Sequence, residues 1–430
     1  MRCTALAIIM ALLGVLAALL NARLARLYTV VTLFKEPMIT SNFRSVDQLG
    51  FPTRRVSTRD AKVASFSVPA QMPDLPEAFD YNGTTYDLRD WLKKHSTTGL
   101  VILEIESETS ASLLHEAYDY GNYHDSRCVS WSLCKSIIST LVGIAVDKGM
   151  LTNVETQRVT DLLPELSGSG YDGVRIKDVL QMSSGVRFNE DYFDPFSDIN
   201  VMGYVLALGG AMDKFSASLK REREPGTFNH YVSIDTQVLG MLVARAANVS
   251  LYTFLEEHLW SKVGFEHSAT WALDNGYDER ELAFGVLGVT TRDWARFGWL
   301  MLNGGTSPSD GSRVVSEEWV RQATSPDAPH LMPGESNLQT DSPSLGYGYQ
   351  WWVAPRDDDP SQPSMNFLGL GVYGQMIYVS REHNIVIAKN AAHSGYKDMQ
   401  RPGFHENYLA LQGHAAFKAI AAHLAARIKS

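Results

Sequence analysis

The sequence has few cysteines, no excess of positive charge and none of the common metal-binding patterns. Its 430 residues include three cysteines, Cys3, Cys128 and Cys134, which are too few for a disulfide framework. Acidic residues outnumber basic residues by 48 to 38 and no basic cluster occurs, so no nucleic-acid partner is expected. The 12 histidines are scattered without an HExxH or CxxC pattern, and no metal is therefore expected.

A long hydrophobic run is present at the N-terminus. Residues 5–20 are uniformly apolar, and their length lies between that of a signal-peptide core and that of a membrane span. Because no clean small-residue cleavage site follows, residues 1–35 are predicted to be a retained membrane anchor or a signal segment. The protein would then be membrane-anchored or exported, on the periplasmic or extracytoplasmic side, although the flanking charges leave the orientation open. The alternative is a helix buried in the globular fold. If the segment is an anchor, removing residues 1–35 should leave soluble, active protein.

The rest of the chain has the composition of a globular protein long enough for two packed lobes, with 45% hydrophobic and 20% charged residues. Residues 36–80 are rich in proline, serine, threonine and arginine, which is typical of a linker or wrapping arm. Strand patterns precede and follow a helical region at about 151–285. Residues 81–430 are therefore predicted to form one domain of α/β plus all-α class, with a sheet built from distant segments and a helical lobe inserted.

The stretch from Val129 to Val146 predicts a buried helix that carries a Ser-x-x-Lys pattern near its start. Ser130 is in position to cap this helix, and Ser132 and Lys135 would lie one turn apart on one face, close enough to touch. A serine hydroxyl is a poor nucleophile until a base takes its proton, and burial suits a lysine to that task by lowering its pKa. The pattern alone is also compatible with a capped helix whose lysine extends to the surface.

A second informative stretch runs from Pro225 to Ser233 and leads into a predicted helix at about 234–247. Its Pro-Gly turn projects the residues that follow, so that Tyr231 stands just before a helix N-terminus. A phenol placed near a lysine ammonium is able to lose or relay a proton. The alternatives are a packed aromatic role for Tyr231 and a helix-capping role for Ser233.

A third stretch is rich in glycine, and Gly369, Gly371 and Gly374 fit a GxGxxG pattern. A dinucleotide-binding loop opens a helix, whereas this one leads into a predicted strand, so no nucleotide cofactor is expected. Glycines before a strand instead allow a backbone N–H group to approach a ligand closely, as an oxyanion hole requires.

Six sequence blocks occur in order: WSLCKS at 131–136, LQMSSGVRFNEDY at 180–192, PGTFNHY at 225–231, TTRDWARFG at 290–298, GYGYQWW at 346–352 and GVYGQ at 371–375. Together they resemble the serine β-lactamase-related hydrolases, the class C β-lactamase and penicillin-binding superfamily. Within it, the resemblance is to the nylon-oligomer (6-aminohexanoate-dimer) hydrolases and related esterases, and it covers roughly residues 80–425. It implies a two-lobe fold with an antiparallel sheet flanked by helices, a helical insertion, and an active site between the lobes.

The resemblance also implies a role for each residue that matches a family motif. Ser132 would be the acylated nucleophile, Lys135 its proton-accepting partner and Tyr231 a second acid/base group. The backbone N–H groups of Ser132 and Val372 would form the oxyanion hole. The reaction would need no metal or organic cofactor. Further candidate substrate-binding residues are Ser233, Gly371, Gln375, Trp351 and Tyr192.

Two motifs depart from the family pattern, and one of them bears on the substrate. The family's Tyr-x-Asn is Tyr231-Val232-Ser233 here, and its Lys-Thr-Gly is Gly369-Leu370-Gly371. The second change removes the cation and the hydroxyl that would hold a substrate carboxylate. We therefore predict a small neutral ester or amide as the substrate. A β-lactamase or D-Ala-D-Ala peptidase activity is one alternative, and a catalytically idle binding or scaffolding role is the other.

Overall fold

The computed structural model of the protein describes residues 20–21, 23–274, 279–334, 339–341, 344–396 and 408–428. Most of the apolar run at 5–20, on which the predicted anchor rests, lies outside the described residues. The helices in the described ranges, after a helical stretch at 23–32, are α1 (Ile39–Phe43), α2 (Leu88–Lys94), α3 (Cys134–Asp147), α4 (Val159–Leu162), α5 (Ile176–Leu180), α6 (Asp198–Ala207), α7 (Met212–Ser218), α8 (Ser233–Ala247), α9 (Leu251–Leu255), α10 (Ser261–Val263), α11 (Thr291–Leu302), α12 (Glu317–Ala323) and α13 (Tyr408–Ile428).

The strands are short and rich in β-branched and aromatic residues, as half-buried and buried strands usually are. They are β1 (Thr53–Val56), β2 (Ala78–Tyr81), β3 (Thr84–Asp87), β4 (Thr97–Ser107), β5 (Ser110–Tyr118), β6 (Cys128–Val129), β7 (Ala269–Ala272), β8 (Leu287–Val289), β9 (Gly346–Tyr347), β10 (Trp352–Pro355), β11 (Pro363–Gly371), β12 (Gln375–Ser380) and β13 (Ile385–Ala391).

The main sheet is antiparallel and has the strand order β5-β4-β13-β12-β11-β10-β9. Early and late parts of the chain meet at its centre, where Val101 of β4 pairs with Ala388 of β13. Helix α11 packs closely on this sheet, because Gly298 carries no side chain where a Cβ atom would lie 2.4 Å from Val386 Cγ1. The predicted sheet of distant segments, flanked by helices, is confirmed.

The helical region is tied to the sheet region through one buried residue, Gln350, by its backbone carbonyl and its side-chain amide. Its carbonyl oxygen accepts a hydrogen bond from Ser136 Oγ of α3 at 2.9 Å. Its side-chain oxygen accepts one from Thr236 Oγ1 of α8 at 2.7 Å, and its amide nitrogen donates to the Leu180 carbonyl of α5 at 2.9 Å. Gln350 therefore joins the helix of the Ser-x-x-Lys pattern to two helices of the inserted region.

A second, smaller sheet has the strand order β1-β7-β8-β6. Its first strand comes from the segment 36–80, and Thr53 pairs with Ala272. We call residues 33–56 the N-terminal arm. Ile39, Phe43 and Val46 of the arm are buried in the core, so this part of the expected linker is packed into the fold.

No individual helix in the described part of the chain combines the length and the apolar composition of a membrane span. Taken as a pair, Ser233–Ala247 and Leu251–Val263 meet that test by length and composition alone, and they are bent by 79°.

Candidate active site

Ser132 lies on a tight 3₁₀ turn, Trp131–Leu133, between β6 and α3. Trp131 has a φ of 44°, in the left-handed region that a bulky side chain seldom adopts, and such strain is typical of functional turns. Ser130 does not cap the helix as predicted. Its hydroxyl donates to the Trp131 carbonyl at 3.0 Å and accepts from the Leu287 N–H of β8 at 3.2 Å. The serine turn is thus attached to the smaller sheet, and α3 begins only at Cys134.

Lys135 is in the first turn of α3 with only 2% of its surface exposed. Its Nζ donates to Ser132 Oγ at 3.2 Å, to the Phe284 carbonyl at 2.9 Å and to Ser233 Oγ at 3.4 Å. Burial lowers the pKa of Lys135 to about 8, against the opposing effect of carboxylates such as Glu190. The structure therefore brings together a serine hydroxyl and an amine that is able to take its proton near neutral pH.

Tyr231 lies just before α8 and faces the same pair. Its ring centroid is 5.3 Å from Lys135 Nζ, and the neighbouring Ser132 side chain acts to lower the pKa of its phenol. On its other side the ring stacks on Trp352, with the centroids 5.7 Å apart and the planes at 13°. Burial raises the pKa of Tyr231 well above its ordinary value, so the phenol keeps its proton and is suited to donate it.

Glu190 is a member of the site to which the sequence patterns assigned no role. Its Oε1 accepts a hydrogen bond from Ser233 Oγ at 2.5 Å and another from the Tyr192 hydroxyl at 3.1 Å. Its Oε2 accepts from the Ser233 backbone N–H at 3.2 Å. Burial raises the pKa of Glu190, and the nearby Lys135 ammonium opposes that rise. The only signal was its position inside the block at 180–192, because no spacing rule links residue 190 to residue 233.

Ser233 joins Glu190 to Lys135. Its side chain makes no capping bond at the start of α8, where Val232 is the residue before the first turn. Its oxygen instead accepts from Lys135 Nζ while its O–H group donates to the Glu190 carboxylate. The hydroxyl is therefore oriented by a charged group on each side, and the capping alternative for Ser233 is wrong.

The end of β11 lies against the serine turn because Gly371 has no side chain. A Cβ atom at this position would be 2.5 Å from the Ser130 carbonyl oxygen. The next residue, Val372, begins a short turn, Val372–Gly374, which follows the strand directly. This turn is held from behind, where Lys389 Nζ donates to the Gly374 carbonyl at 2.9 Å. The strand end that leads to Val372 thus lies against the turn that carries Ser132, and the predicted oxyanion hole requires the two to be close.

Two of the predicted substrate-binding residues do not face the cleft. Trp351 is completely buried, and its ring packs 5.9 Å from that of Phe297 in the core. Gln375 is buried inside the sheet, where its side chain donates to the Ala391 carbonyl at 2.5 Å and accepts from the Ala391 N–H at 3.2 Å. Neighbouring residues of an extended chain point in opposite directions, so Trp352 rather than Trp351 lies beside Tyr231. Tyr192 contacts the site through Glu190.

The antiparallel sheet, the inserted helices and the Ser-x-x-Lys helix define a hydrolase of the β-lactamase type. A sequence profile of the family described as Beta-lactamase matches residues 109–405. This chain belongs to the β-lactamase family.

Individual relatives show which members of the family this chain resembles. The 6-aminohexanoate-dimer hydrolase of Paenarthrobacter ureafaciens is 30% identical over 347 residues, which are 79% of this chain and 81% of that protein. A solved structure from Bacillus anthracis, provisionally described as a 6-aminohexanoate-dimer hydrolase, has a TM-score of 0.74 at 19% identity and covers 91% of this chain and 96% of its own. The class C β-lactamase of Rhodobacter sphaeroides has a TM-score of 0.52 at 14% identity and covers 78% of this chain and 97% of its own. The two structures share the fold.

Proposed function

We propose that this protein is a serine hydrolase that cleaves neutral esters or amides through an acyl-enzyme on Ser132. The observation that carries the proposal is the 3.2 Å contact between Ser132 Oγ and Lys135 Nζ, made by a lysine that is almost completely buried. A buried amine with a lowered pKa is a general base for the hydroxyl that it touches. A lysine that only neutralised charge would not need to be withdrawn from water.

The proposed reaction has two halves. In the first, Ser132 Oγ attacks the carbonyl carbon while its proton passes to Lys135, and the N–H groups of Ser132 and Val372 stabilise the oxyanion. The bond to the leaving group then breaks, and the leaving group takes a proton through Tyr231, whose ring centroid lies 5.3 Å from Lys135 Nζ. In the second half, water attacks the acyl-enzyme, its proton returns by the same groups, and Ser132 is released as the free hydroxyl.

The Glu190–Ser233 pair takes the place of the asparagine in the family's Tyr-x-Asn motif. Because the Ser233 O–H group donates to Glu190, the oxygen offers its lone pairs to Lys135 Nζ. This arrangement fixes the direction of the amine towards Ser132. Burial alone would lower the pKa of Lys135 further, and the nearby Glu190 carboxylate partly offsets this by raising that pKa.

The surroundings of the site favour a neutral substrate. A Cβ atom on Gly369 would lie 2.5 Å from Leu133 Cδ1, so the position at which other family members carry a lysine faces an apolar side chain here. The neighbouring wall consists of the stacked rings of Tyr231 and Trp352. A carboxylate placed beside this strand would lose water without gaining a partner. The name of the P. ureafaciens relative, a dimer hydrolase, adds aliphatic amides to the esters as the first substrates to test.

The test combines active-site labelling with a substrate panel. A fluorophosphonate should label the wild-type protein and leave Ser132→Ala unlabelled, and p-nitrophenyl esters or short neutral aliphatic amides should be hydrolysed. Absence of both labelling and turnover would identify an idle member of the fold. Rapid nitrocefin hydrolysis with simple esters untouched would show that a carboxylate is bound elsewhere in the cleft, and the neutral-substrate proposal would fail.

We also propose that the N-terminal segment attaches the protein to a membrane. Its support is the apolar run at 5–20 in the sequence and, in the helical stretch at 23–32, the exposure of Leu24, Tyr28 and Val31 at helical spacing. The full chain should sediment with membranes and resist extraction by high salt and alkaline carbonate, while releasing into detergent. Recovery of the full chain in the soluble fraction would reject the proposal.

A further inference from the structure

Four aromatic side chains form a cluster directly behind the candidate oxyanion hole. Phe34 stacks on Tyr373 with the ring centroids 4.6 Å apart and the planes at 9°. Phe34 is also 5.3 Å from Trp131, and Phe43 is 5.4 Å from both Trp131 and Tyr373. Trp131 and Tyr373 are themselves 5.9 Å apart. The N-terminal arm therefore contributes half of a cluster whose other half belongs to the active-site turns.

The two active-site members of this cluster are next to the two proposed oxyanion donors in the chain. Trp131 immediately precedes Ser132, and Tyr373 immediately follows Val372. Both have a left-handed backbone, with φ of 44° for Trp131 and 64° for Tyr373. Large aromatic residues persist in this conformation only when the surrounding packing holds them there. The packing around these two rings comes in large part from the arm.

The arm has contacts that keep Phe34 in place. Leu33 is buried, and its carbonyl accepts a hydrogen bond from Asn42 Nδ2 at 3.1 Å. The helical stretch before it is attached by Arg26, whose Nε donates to the Gly50 carbonyl at 2.8 Å. Phe34 itself is partly buried, and its stacked contact with Tyr373 adds to that burial. The arm lies outside residues 109–405, which match the family profile.

We propose that Phe34 is a positioning residue for the oxyanion hole. Its ring holds Trp131 and Tyr373 together, and through them it sets the separation between the backbone N–H groups of Ser132 and Val372. Phe34 is then a supporting part of the active site that lies outside the residues matched by the family profile. This inference rests on the proposed function, because it presupposes that these two N–H groups stabilise an oxyanion. Small displacements of such donors are costly, since their effect depends on their distance from the developing charge.

The test compares Phe34→Ala with Ile39→Ala in the full-length protein, purified in detergent. Ile39 is a completely buried residue of the same arm, so its truncation should cost at least as much folding stability. Phe34→Ala should lower both the fluorophosphonate labelling rate and kcat for a p-nitrophenyl ester by at least about tenfold, with a smaller change in KM. Ile39→Ala should lower Tm at least as much and leave labelling within about twofold of wild type at temperatures well below Tm. Phe34→Tyr, which keeps the ring, should restore most of the rate.

The possible outcomes separate the two proposals. If wild type is labelled, Ser132→Ala is not, and Phe34→Ala is labelled at the wild-type rate, the positioning role of Phe34 is rejected while the proposed function stands. Equal losses of labelling in the Phe34→Ala and Ile39→Ala variants would also reject it, because the arm would then act only through stability. If wild type is neither labelled nor active, the proposed function itself fails.

Discussion

Lys135 gives the site its expected dependence on pH. Its pKa is lowered from 10.5 to about 8 by burial, so the fraction of neutral amine rises as the pH increases through that value. The rate of Ser132 acylation should therefore increase with pH and level off above an apparent pKa near 8, which a profile of kcat/KM against pH measures. The same shift destabilises the folded state below about pH 8, and this cost should disappear as the pH rises towards 10.5. A flat rate profile across this range would show that Lys135 is not the base.

Replacing Lys135 by arginine separates proton transfer from charge. Arginine keeps the positive charge but does not lose its proton at accessible pH, and its planar group does not fit the three acceptors around Nζ. We expect Lys135→Arg to lose roughly 10²–10⁴-fold in kcat, the usual contribution of a general base. Single-turnover ester hydrolysis with circular dichroism as the folding control checks this. An arginine variant with wild-type turnover would reduce Lys135 to an electrostatic role.

Glu190 is expected to act on the lysine rather than on the substrate. Glu190→Gln removes the negative charge that raises the pKa of Lys135, so the midpoint of the pH–rate profile should move to lower pH. The rate at the plateau should also fall by about 10–100-fold, because Ser233 loses its charged acceptor and Lys135 its fixed direction. The exposed neighbouring carboxylate offers a matched control, and Asp191→Asn should leave the profile unchanged. An unshifted midpoint in Glu190→Gln would mean that the carboxylate is only structural.

At the scale of elements, the approach of β11 to the serine turn depends on Gly371. An added methyl group would lie 2.5 Å from the Ser130 carbonyl oxygen, which belongs to the backbone and has little freedom to move. Gly371→Ala should therefore shift the strand end away from Ser132 and reduce kcat about 10²-fold, the scale of loss expected from a displacement near 1 Å. Gly203→Ala, where the added methyl meets no atom within 4 Å, should leave kcat unchanged and Tm equal or slightly higher. Equal activity of both variants would show that the strand end is not part of the machinery.

Local patterns predicted the elements better than they predicted contacts between distant parts of the chain. The Ser-x-x-Lys spacing placed Ser132 and Lys135 on adjacent turns, because helical geometry is set by sequence separation alone. The same reasoning predicted that Ser130 caps the helix. Its hydroxyl instead accepts a hydrogen bond from the Leu287 N–H of β8, a strand that is distant in sequence. The sequence also does not predict the direction of the Trp351 side chain, because two successive tryptophans do not indicate which of them faces the core.

The roles of Glu190 and of the arm also depend on contacts between distant parts of the chain, which local sequence patterns do not predict. A carboxylate in a loop has no periodicity, and its pairing with Ser233 exists only after α8 has packed. The segment 36–80 has the composition of a linker, yet its few large apolar residues are the ones that the core takes up. Composition averages over a segment, whereas packing selects single side chains from it.

At the scale of the whole molecule, the fold limits how much of the N-terminus is dispensable. The sequence predicts that residues 1–35 are removable, but Leu33 and Phe34 belong to the packed structure. Deletion of residues 1–19 should retain kcat/KM within about twofold, because the contacts of the arm with the described part of the chain survive. Deletion of residues 1–35 should lower it by at least about tenfold and also lower Tm. Assays of the two purified deletion variants side by side test this prediction. Equal activity of the two would show that residues 20–35 are not needed for catalysis.

The position of Gln350 has a mechanical consequence. Because the backbone carbonyl of Gln350 is bonded to α3 and its side-chain amide to α5 and α8, a movement of these helices relative to one another would break hydrogen bonds at this buried residue. We therefore expect the cleft to bind its substrate with little change in its own shape. Changes of specificity in this protein are therefore expected to come from side chains on the rim, while the frame that carries them stays fixed.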